Sequence, residues 1–182
     1  MIILEGPDGA GKTTLLHQLT EVTHLPVHPR FASSTEGPIL ELWGAVKQDM
    51  NRWYHQPLAL YDRHPFTSEH IYGPLIRGRM RPGFDTPEAS RLRHYFQSTA
   101  LVIFCMPPLS VVIENLAAED QMSGVRENIE TIYNLYRGQF ARWPLDYEVI
   151  LYDYTVPRNY ATGWDSVFMA IEQHYFNWKG QK

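Results

Sequence analysis

The feature that most constrains the fold lies at residues 6–14, which read Gly-Pro-Asp-Gly-Ala-Gly-Lys-Thr-Thr. This run matches G-x-x-x-x-G-K-[ST], the pattern of a phosphate-binding loop. The apolar residues 1–5 before it have room for one buried strand, and residues 14–20 after it have helical spacing. The motif requires a strand, a glycine-rich turn and a helix in this order, so the sequence predicts a phosphate-binding α/β protein.

The chemistry of such a loop follows from its backbone. Glycines allow successive amide groups to point at one phosphate, and the next helix presents its positive end to the same anion. Lys12 is expected to reach the β- and γ-phosphates of ATP, and the Thr13 hydroxyl to bind Mg²⁺. The predicted contacts to the ATP phosphates are Gly6, Asp8, Gly9, Ala10, Gly11, Lys12, Thr13 and Thr14.

The remainder of the chain alternates apolar runs with segments of helical spacing. Further strands are expected near residues 24–31, 57–61, 101–106 and 147–152, the first of them short or at an edge because it holds two prolines. Strands that alternate with helices form a parallel sheet covered on both faces. We therefore predict one α/β domain over residues 1–182, with a five-stranded parallel sheet and ligands at the carboxyl ends of the strands.

Composition narrows the classes of function. The chain has a net charge of −4 and no run of Lys or Arg, which argues against a large electrostatic contact with duplex DNA. Its single cysteine, Cys105, lies in an apolar run and is expected to be a buried, inert thiol. No apolar stretch approaches membrane-spanning length, and the start leads directly into a strand, so we expect a cytoplasmic enzyme without a signal peptide.

A second candidate constellation is Asp62-Arg63, at the end of the strand predicted at 57–61. This position should lie beside the phosphate-binding loop, because the carboxyl ends of parallel strands meet at one edge of the sheet. Phosphoryl transfer needs a carboxylate near Mg²⁺ or the attacking group, and a cation that spreads over the transferred phosphoryl. Asp62 and Arg63 are residues of the right types for those two roles.

These two motifs resemble those of thymidylate kinases. The loop is similar to that family's G-x-D-G-x-G-K-T-T, and residues 60–73 are similar to its D-R-Y-x-x-S-S-x-x-Y-x-G. The resemblance implies a nucleoside-monophosphate-kinase-like fold and transfer from ATP, with Mg²⁺, to a pyrimidine deoxynucleoside monophosphate. It also implies that Asp8 contacts the acceptor sugar, that Arg63 binds the acceptor or transferring phosphate, and that Asp62 holds Mg²⁺. Such kinases are often homodimers.

The family also implies a mobile lid with arginines, which we place near residues 117–127. There the match weakens, because Asn115 replaces an expected basic residue; Arg126 is the predicted lid arginine, with Arg137 and Arg142 as alternatives. The predicted acceptor-binding residues are Asp8, Arg30, Glu36, Arg63, Phe66, Ser68 and Tyr72. Further aromatic candidates for stacking on a pyrimidine are Phe31, Trp43 and Trp53.

Residues 62–74 and 121–129 also resemble small viral relatives of thymidylate kinase, some of which phosphorylate 5-hydroxymethyluracil in DNA. A hydroxymethyl acceptor must lose a proton, so a carboxylate base within hydrogen-bond reach would help, and Asp62, Glu36 and Glu69 are candidates. A basic rim for DNA would come from Arg77, Arg79, Arg81, Arg91 and Arg93. That substrate would place the enzyme in the host cytoplasm. A non-catalytic nucleotide-binding module is a further alternative.

Overall fold

A computed structural model of the chain describes residues 1–33, 37–52, 58–118 and 120–180. Its main sheet has four parallel strands in the order β4-β1-β5-β6. The short strands β2 and β3 form a separate antiparallel hairpin. The strands are β1 (Ile2–Glu5), β2 (Ala32–Ser33), β3 (Gly37–Pro38), β4 (Leu60–Asp62), β5 (Leu101–Cys105) and β6 (Val149–Tyr152).

Seven helices connect the strands within the described residues. They are α1 (Lys12–Thr23), α2 (Leu42–Arg52), α3 (Pro65–Arg77), α4 (Pro87–Thr99), α5 (Leu109–Ala117), α6 (Ile129–Ala141) and α7 (Trp164–Gly180). Helix α4 starts at Pro87 because the Thr86 side chain caps it, accepting a hydrogen bond from the Ala89 amide. Helix α3 starts at Pro65, directly after the Asp62-Arg63 pair and His64. There the His64 ring nitrogen accepts from the Phe66 amide, and Pro65 occupies the first turn.

The predicted fifth strand, at residues 24–31, is reduced to a single bridge. Val27 pairs in parallel with Leu60; the His28 amide donates to the Leu60 carbonyl at 2.8 Å, and the Leu60 amide donates to the Pro26 carbonyl at 2.9 Å. Pro26 and Pro29 have no amide hydrogen, so the ladder cannot extend in either direction. The expectation of five strands is therefore wrong: the main sheet has four, with a bridge in the fifth place.

The core lies on both faces of the two central strands. Every residue of β1 and β5 is buried, as expected for strands of a parallel sheet covered by helices. Cys105 belongs to this core, so the predicted burial of its thiol is confirmed, and burial raises the pKa of the thiol to about 12. Among the described helices, none combines the length and the apolar character that a membrane span requires.

Candidate active site

The phosphate-binding loop occupies the turn between β1 and α1. Gly6 has φ +140°, and a Cβ there would lie 2.4 Å from the Cys105 carbonyl oxygen; Gly9 has φ +74°, and a Cβ there would lie 2.7 Å from the Val112 carbonyl oxygen. Only glycine fits these two positions, because each combines a positive φ with a backbone contact. The loop is therefore packed against the end of β5 and the backbone of α5.

Lys12 is the first residue of α1, and its side chain is buried against the loop. Its ammonium group donates to the Pro7 carbonyl at 2.6 Å. Burial, together with the nearby Arg63 guanidinium, lowers the pKa of Lys12. The ammonium group thus lies inside the loop that the sequence predicts to hold the β- and γ-phosphates.

Arg63 follows β4 and has the left-handed backbone angle φ +64°. This conformation turns its guanidinium back toward the loop, where it donates to the Gly6 carbonyl at 3.0 Å, to Asp8 Oδ1 at 2.9 Å and to the Tyr72 hydroxyl at 2.9 Å. The Tyr72 hydroxyl in turn donates to Asp8 Oδ2 at 2.6 Å. Burial raises the pKa of Asp8, but Arg63 and Lys12 outweigh that effect and hold it at about 2. Asp8 is therefore an ionised carboxylate with both oxygens hydrogen-bonded.

Asp62 and Thr13 converge on a second arginine. One guanidinium nitrogen of Arg30 forms an ion pair with Asp62 Oδ2 and donates to Thr13 Oγ1 at 3.4 Å. A carboxylate and a hydroxyl that already share one cationic group are placed to hold a metal cation, and both are oxygen ligands of the kind that Mg²⁺ prefers. Mg²⁺ in phosphate sites uses one or two protein groups plus phosphate oxygens and water, so Thr13 and Asp62 fit the ion. The described residues contain no cluster of three or more His, Cys, Asp or Glu that could hold a metal.

A cavity of about 500 Å³ extends from the phosphate-binding loop to the β2–β3 hairpin. Helix α3 supplies one wall, with Ser68, Glu69, Tyr72 and Arg77 facing the space. Apolar surface comes from the hairpin side, from α2 and from the segment after α5, through Phe31, Pro38, Leu42, Met122 and Val125. A pocket with apolar walls and a few charged groups is the usual form of a small-molecule site.

The structure brings most of the predicted site residues together around this cavity. Its lining includes every predicted phosphate contact from Asp8 to Thr14, together with Arg30, Asp62, Arg63, Ser68 and Tyr72. Gly6 lies directly beneath, as an acceptor for Arg63. Glu36 and Trp53 lie outside the described residues. In the predicted lid segment, Gln121, Met122 and Val125 line the cavity, whereas Arg126 is exposed and is not part of the lining.

Phe66 is buried in the core instead of lining the cavity. Its ring packs against His64, Phe96 and Phe84 at centroid distances of 5.1, 5.7 and 6.1 Å. The reason is the helical phase, because Ser68, Glu69 and Tyr72 occupy the face of α3 toward the cavity and Phe66 does not. Phe31 is the predicted aromatic residue that, with Tyr72, does line the space.

Two contacts at the site are not indicated by the sequence motifs. Arg77, predicted for a surface rim, lines the cavity and pairs with Glu69. Asn115 Nδ2 donates to the Gly9 carbonyl at 2.8 Å and to the Tyr154 hydroxyl at 2.7 Å, and the Tyr154 ring packs on Gly11. The signal that could have found Tyr154 is its position two residues after β6, where the carboxyl end of a parallel strand reaches the same edge as the loop.

Comparisons with protein-family models and with curated proteins find no match for the sequence. Solved structures do match the fold. The YorR protein of Bacillus subtilis, crystallised with phosphorylated GDP, is 20% identical with a TM-score of 0.65, over 96% of this chain and 97% of that one. Deoxyadenosine kinase of M. mycoides with bound dATP is 15% identical with a TM-score of 0.57, over 94% of this chain and 95% of that one. The same kinase with bound dCTP is 12% identical with a TM-score of 0.58, over 95% of this chain and 100% of that one. The chain therefore shares the α/β fold of these nucleotide-binding proteins.

Proposed function

We propose that this protein transfers the γ-phosphoryl group of ATP, with Mg²⁺, to a pyrimidine deoxynucleoside monophosphate, as thymidylate kinases do. The proposal rests on one observation: the two carboxylates beside the phosphate-binding loop each form an ion pair with an arginine. Asp8 pairs with Arg63 and Asp62 with Arg30, and all four side chains line the cavity. A phosphate acceptor needs cations and no base, whereas a hydroxyl acceptor needs a carboxylate that is free to take its proton.

In this proposal the chain acts by positioning and by neutralising charge. Lys12 and the loop amides hold the donor phosphates. Arg63 stabilises the transferring phosphoryl and the acceptor phosphate, and Asp8 with Tyr72 fixes the direction of its guanidinium. Thr13 and Asp62 would hold Mg²⁺, which neutralises the developing charge on the phosphates when it is bound. Arg30, which pairs with Asp62 and lines the cavity, would be available to the acceptor phosphate. The predicted homodimer and the role of Arg126 stay predictions.

A second candidate function is phosphorylation of 5-hydroxymethyluracil in DNA. The observation in its favour is Glu69, a buried carboxylate that lines the cavity and is a candidate base for a hydroxymethyl acceptor. Arg79, Arg81, Arg91 and Arg93 follow Arg77 in the chain and would supply cations for a DNA strand. Both oxygens of Glu69 already accept hydrogen bonds, from Arg77 and from the Arg81 amide, and this engagement favours the first candidate.

The test is transfer of label from γ-labelled ATP, with Mg²⁺, to three acceptors in parallel: thymidine monophosphate, thymidine, and an oligonucleotide that carries 5-hydroxymethyluracil. Lys12→Ala is the control that removes the loop cation. We expect label on the monophosphate alone, and none with the Lys12→Ala variant. Label on the oligonucleotide alone would overturn the proposal in favour of the second candidate. Nucleotide binding without transfer to any acceptor would point to the non-catalytic alternative.

A further inference from the structure

His28 lies in the segment that leads from the isolated bridge beside β4 to the cavity. Its amide donates to the Leu60 carbonyl at 2.8 Å, and Pro29, which follows it, has no amide hydrogen to continue the ladder. Arg30 and Phe31, the next two residues, line the cavity. The position of these two residues therefore depends in part on the side-chain contacts of the segment that carries them.

The imidazole ring of His28 contacts two aromatic rings. It stacks on the Tyr61 ring at a centroid distance of 4.4 Å and on the Phe31 ring at 5.1 Å. Tyr61 belongs to β4 and is buried, whereas Phe31 lines the cavity. The His28 ring thus connects the main sheet to an aromatic residue of the cavity wall.

Both ring nitrogens of His28 face oxygen acceptors. Nε2 lies 3.0 Å from Asp49 Oδ1, and Nδ1 lies 2.7 Å from the Pro29 carbonyl oxygen. A neutral imidazole has one N–H, so it can donate to only one of these two oxygens. A proton shared between the ring and the carboxylate lies on the ring, because imidazole is the stronger base. The arrangement therefore indicates the imidazolium form of His28, with a donor at each nitrogen.

Asp49, on α2, is 5% exposed, so its carboxylate needs a cation nearby. Its Oδ1 also accepts from the Tyr61 hydroxyl at 3.1 Å; burial beside Asp49 raises the pKa of that hydroxyl, which stays neutral. Among the described residues, the other titratable groups of this cluster are His64 and the Met1 amino group. Burial lowers their pKa values to about 3 and about 5, so both are neutral at pH 7. Burial also lowers the pKa of His28, but Asp49 outweighs burial and raises it, which makes His28 the cation of the pair.

We propose that the His28–Asp49 ion pair is a positioning unit for the acceptor: the acceptor binds more weakly once His28 has lost its proton. The pair acts through Arg30 and Phe31, since the described lining of the cavity includes these two residues and neither member of the pair. A neutral ring keeps one of its two hydrogen bonds and leaves the Asp49 carboxylate buried without a cation, so the segment is held less firmly against α2. This inference rests on the proposed function, because it takes the acceptor to be a monophosphate that contacts Arg30 and Phe31.

The test compares the wild-type protein with His28→Gln at two pH values, so that titration of the ligand and of other residues cancels. Glutamine keeps a donor at this position but has no charge. Calorimetry measures Kd for thymidine monophosphate and for ATP. At about pH 6.5 we expect the variant to bind the monophosphate at least about fivefold more weakly, and at about pH 9.5 as tightly as the wild type to within about twofold. Kd for ATP should differ by less than about twofold at either pH. His17→Gln, at an exposed histidine of α1, should match the wild type throughout.

A second measurement follows the pair in the protein without ligand. Proton–nitrogen correlation spectra of protein with nitrogen-labelled histidine and arginine report the protonation of the His28 ring and the surroundings of the Arg30 guanidinium. We expect both signals to change with one midpoint. Asp49→Asn removes the charge of the partner and should shift that midpoint downward by at least about 1 on the pH scale.

A His28 ring that is already neutral at about pH 6.5 overturns the inference. A purely structural pair would also overturn it: His28→Gln would then lower the Tm and leave the Kd for the monophosphate at the wild-type value. Should no monophosphate bind, the proposed function fails, and the Arg30 signal decides the inference separately. A midpoint that Arg30 shares with His28, and that is lost in His28→Gln, upholds the positioning, whereas an Arg30 signal that does not respond overturns it.

Discussion

Asp8, Arg63 and Tyr72 form a closed set of hydrogen bonds around one carboxylate. Each Asp8 oxygen has its own donor, and Arg63 also donates to the Tyr72 hydroxyl. The Arg63 guanidinium lies 5.0 Å from the centre of the Tyr72 ring, which adds a cation–π contact. Removal of one member therefore affects the orientation of the other two, and in the proposed function the acceptor phosphate depends on that orientation.

The Tyr72→Phe variant tests this set of hydrogen bonds by removing a single oxygen atom. The change removes the hydroxyl that donates to Asp8 and leaves the ring in place. A hydrogen bond to a charged group contributes about 1.5–3 kcal/mol, so we expect KM for the acceptor to rise by roughly tenfold or more. The Kd for ATP should stay within about twofold, because the loop contacts remain. Steady-state kinetics and calorimetry measure both, with Tyr147→Phe as the control, since that hydroxyl contacts His94 outside the cavity lining. An unchanged acceptor KM would contradict the role given to Tyr72.

Glu5 is a buried carboxylate directly beneath the phosphate-binding loop. Its Oε1 accepts from the His64 amide at 2.8 Å, and the Tyr136 hydroxyl lies 3.5 Å from Oε2. Burial raises the pKa of Glu5 from 4.5 to about 7. Between these two values the folded protein keeps a proton that the unfolded chain releases. The contribution of Glu5 to the free energy of unfolding therefore falls as the pH rises from 4.5 to about 7, and is constant above that.

Glu5→Gln should remove this dependence, because an amide does not titrate. We expect the free energy of unfolding of the variant, relative to wild type, to increase by roughly 2–3 kcal/mol between about pH 4.5 and pH 7 and to stay level above pH 7. Urea unfolding at a series of pH values measures the difference. Glu21→Gln, at an exposed site on α1, is the control and should follow the wild type. A flat difference across the range would show that Glu5 is ionised throughout.

At the scale of secondary structure, three elements pack against the phosphate-binding loop and hold its shape. The end of β5 contacts Gly6, the backbone of α5 contacts Gly9, and Tyr154 after β6 packs on Gly11. Asn115 of α5 joins the last two contacts by donating to both the Gly9 carbonyl and the Tyr154 hydroxyl. The shape of the loop is thus fixed before any phosphate binds, which reduces the entropy lost on binding.

A pair of glycine substitutions separates loop packing from general helix effects. Gly6→Ala places a Cβ 2.4 Å from the Cys105 carbonyl oxygen at φ +140°, so we expect the free energy of unfolding to fall by about 3 kcal/mol or more. Gly44 lies within α2, where a Cβ would meet nothing within 4 Å. The Gly44→Ala change should therefore raise the free energy of unfolding by about 0.5–1 kcal/mol. Chemical denaturation measures both. Equal effects of the two changes would contradict the packing of the loop against β5.

At the scale of the whole molecule, the net charge of −4 conceals a local concentration of cations. Four cations, Lys12, Arg30, Arg63 and Arg77, line one cavity together with three carboxylates, Asp8, Asp62 and Glu69, so the charged lining has a net charge of +1. The cavity should therefore attract a small anion, while the negative net charge of the whole chain disfavours a long polyanion. This distribution distinguishes the two candidate acceptors by their response to salt.

We expect KM for a monophosphate acceptor to change by less than about fivefold between 50 and 200 mM salt. A protein that makes six to ten contacts to DNA phosphates loses about 10³- to 10⁵-fold in affinity over the same range. Steady-state kinetics at several salt concentrations, with the ATP concentration saturating, gives the slope. A steep slope with the oligonucleotide acceptor, together with activity on it, would favour the second candidate function.

The parts of the fold and site that the sequence predicts are those set by local pattern. The phosphate-binding loop, Asp62 and Arg63 follow from a motif and from the rule that parallel strands end at one edge. The bridge at Val27 shows the limit: the two prolines predict a short or edge strand, but not that only one bridge would remain of it. The Glu69–Arg77 ion pair could not be predicted from the sequence, for a different reason. Its members are eight residues apart, and which of them faces the cavity depends on the tertiary packing of α3.

The left-handed backbone of Arg63 has a consequence for how this position can change. An L-residue with a Cβ carries about 1–2 kcal/mol of strain in this conformation, and glycine carries almost none. Among variants that have lost the guanidinium, Arg63→Gly should therefore be more stable than Arg63→Ala. Loss of the guanidinium also leaves the buried Asp8 carboxylate without its cation, at a cost of about 3–5 kcal/mol, which exceeds the strain that glycine relieves. The stability of the fold alone is therefore enough to retain an arginine in this strained conformation at position 63.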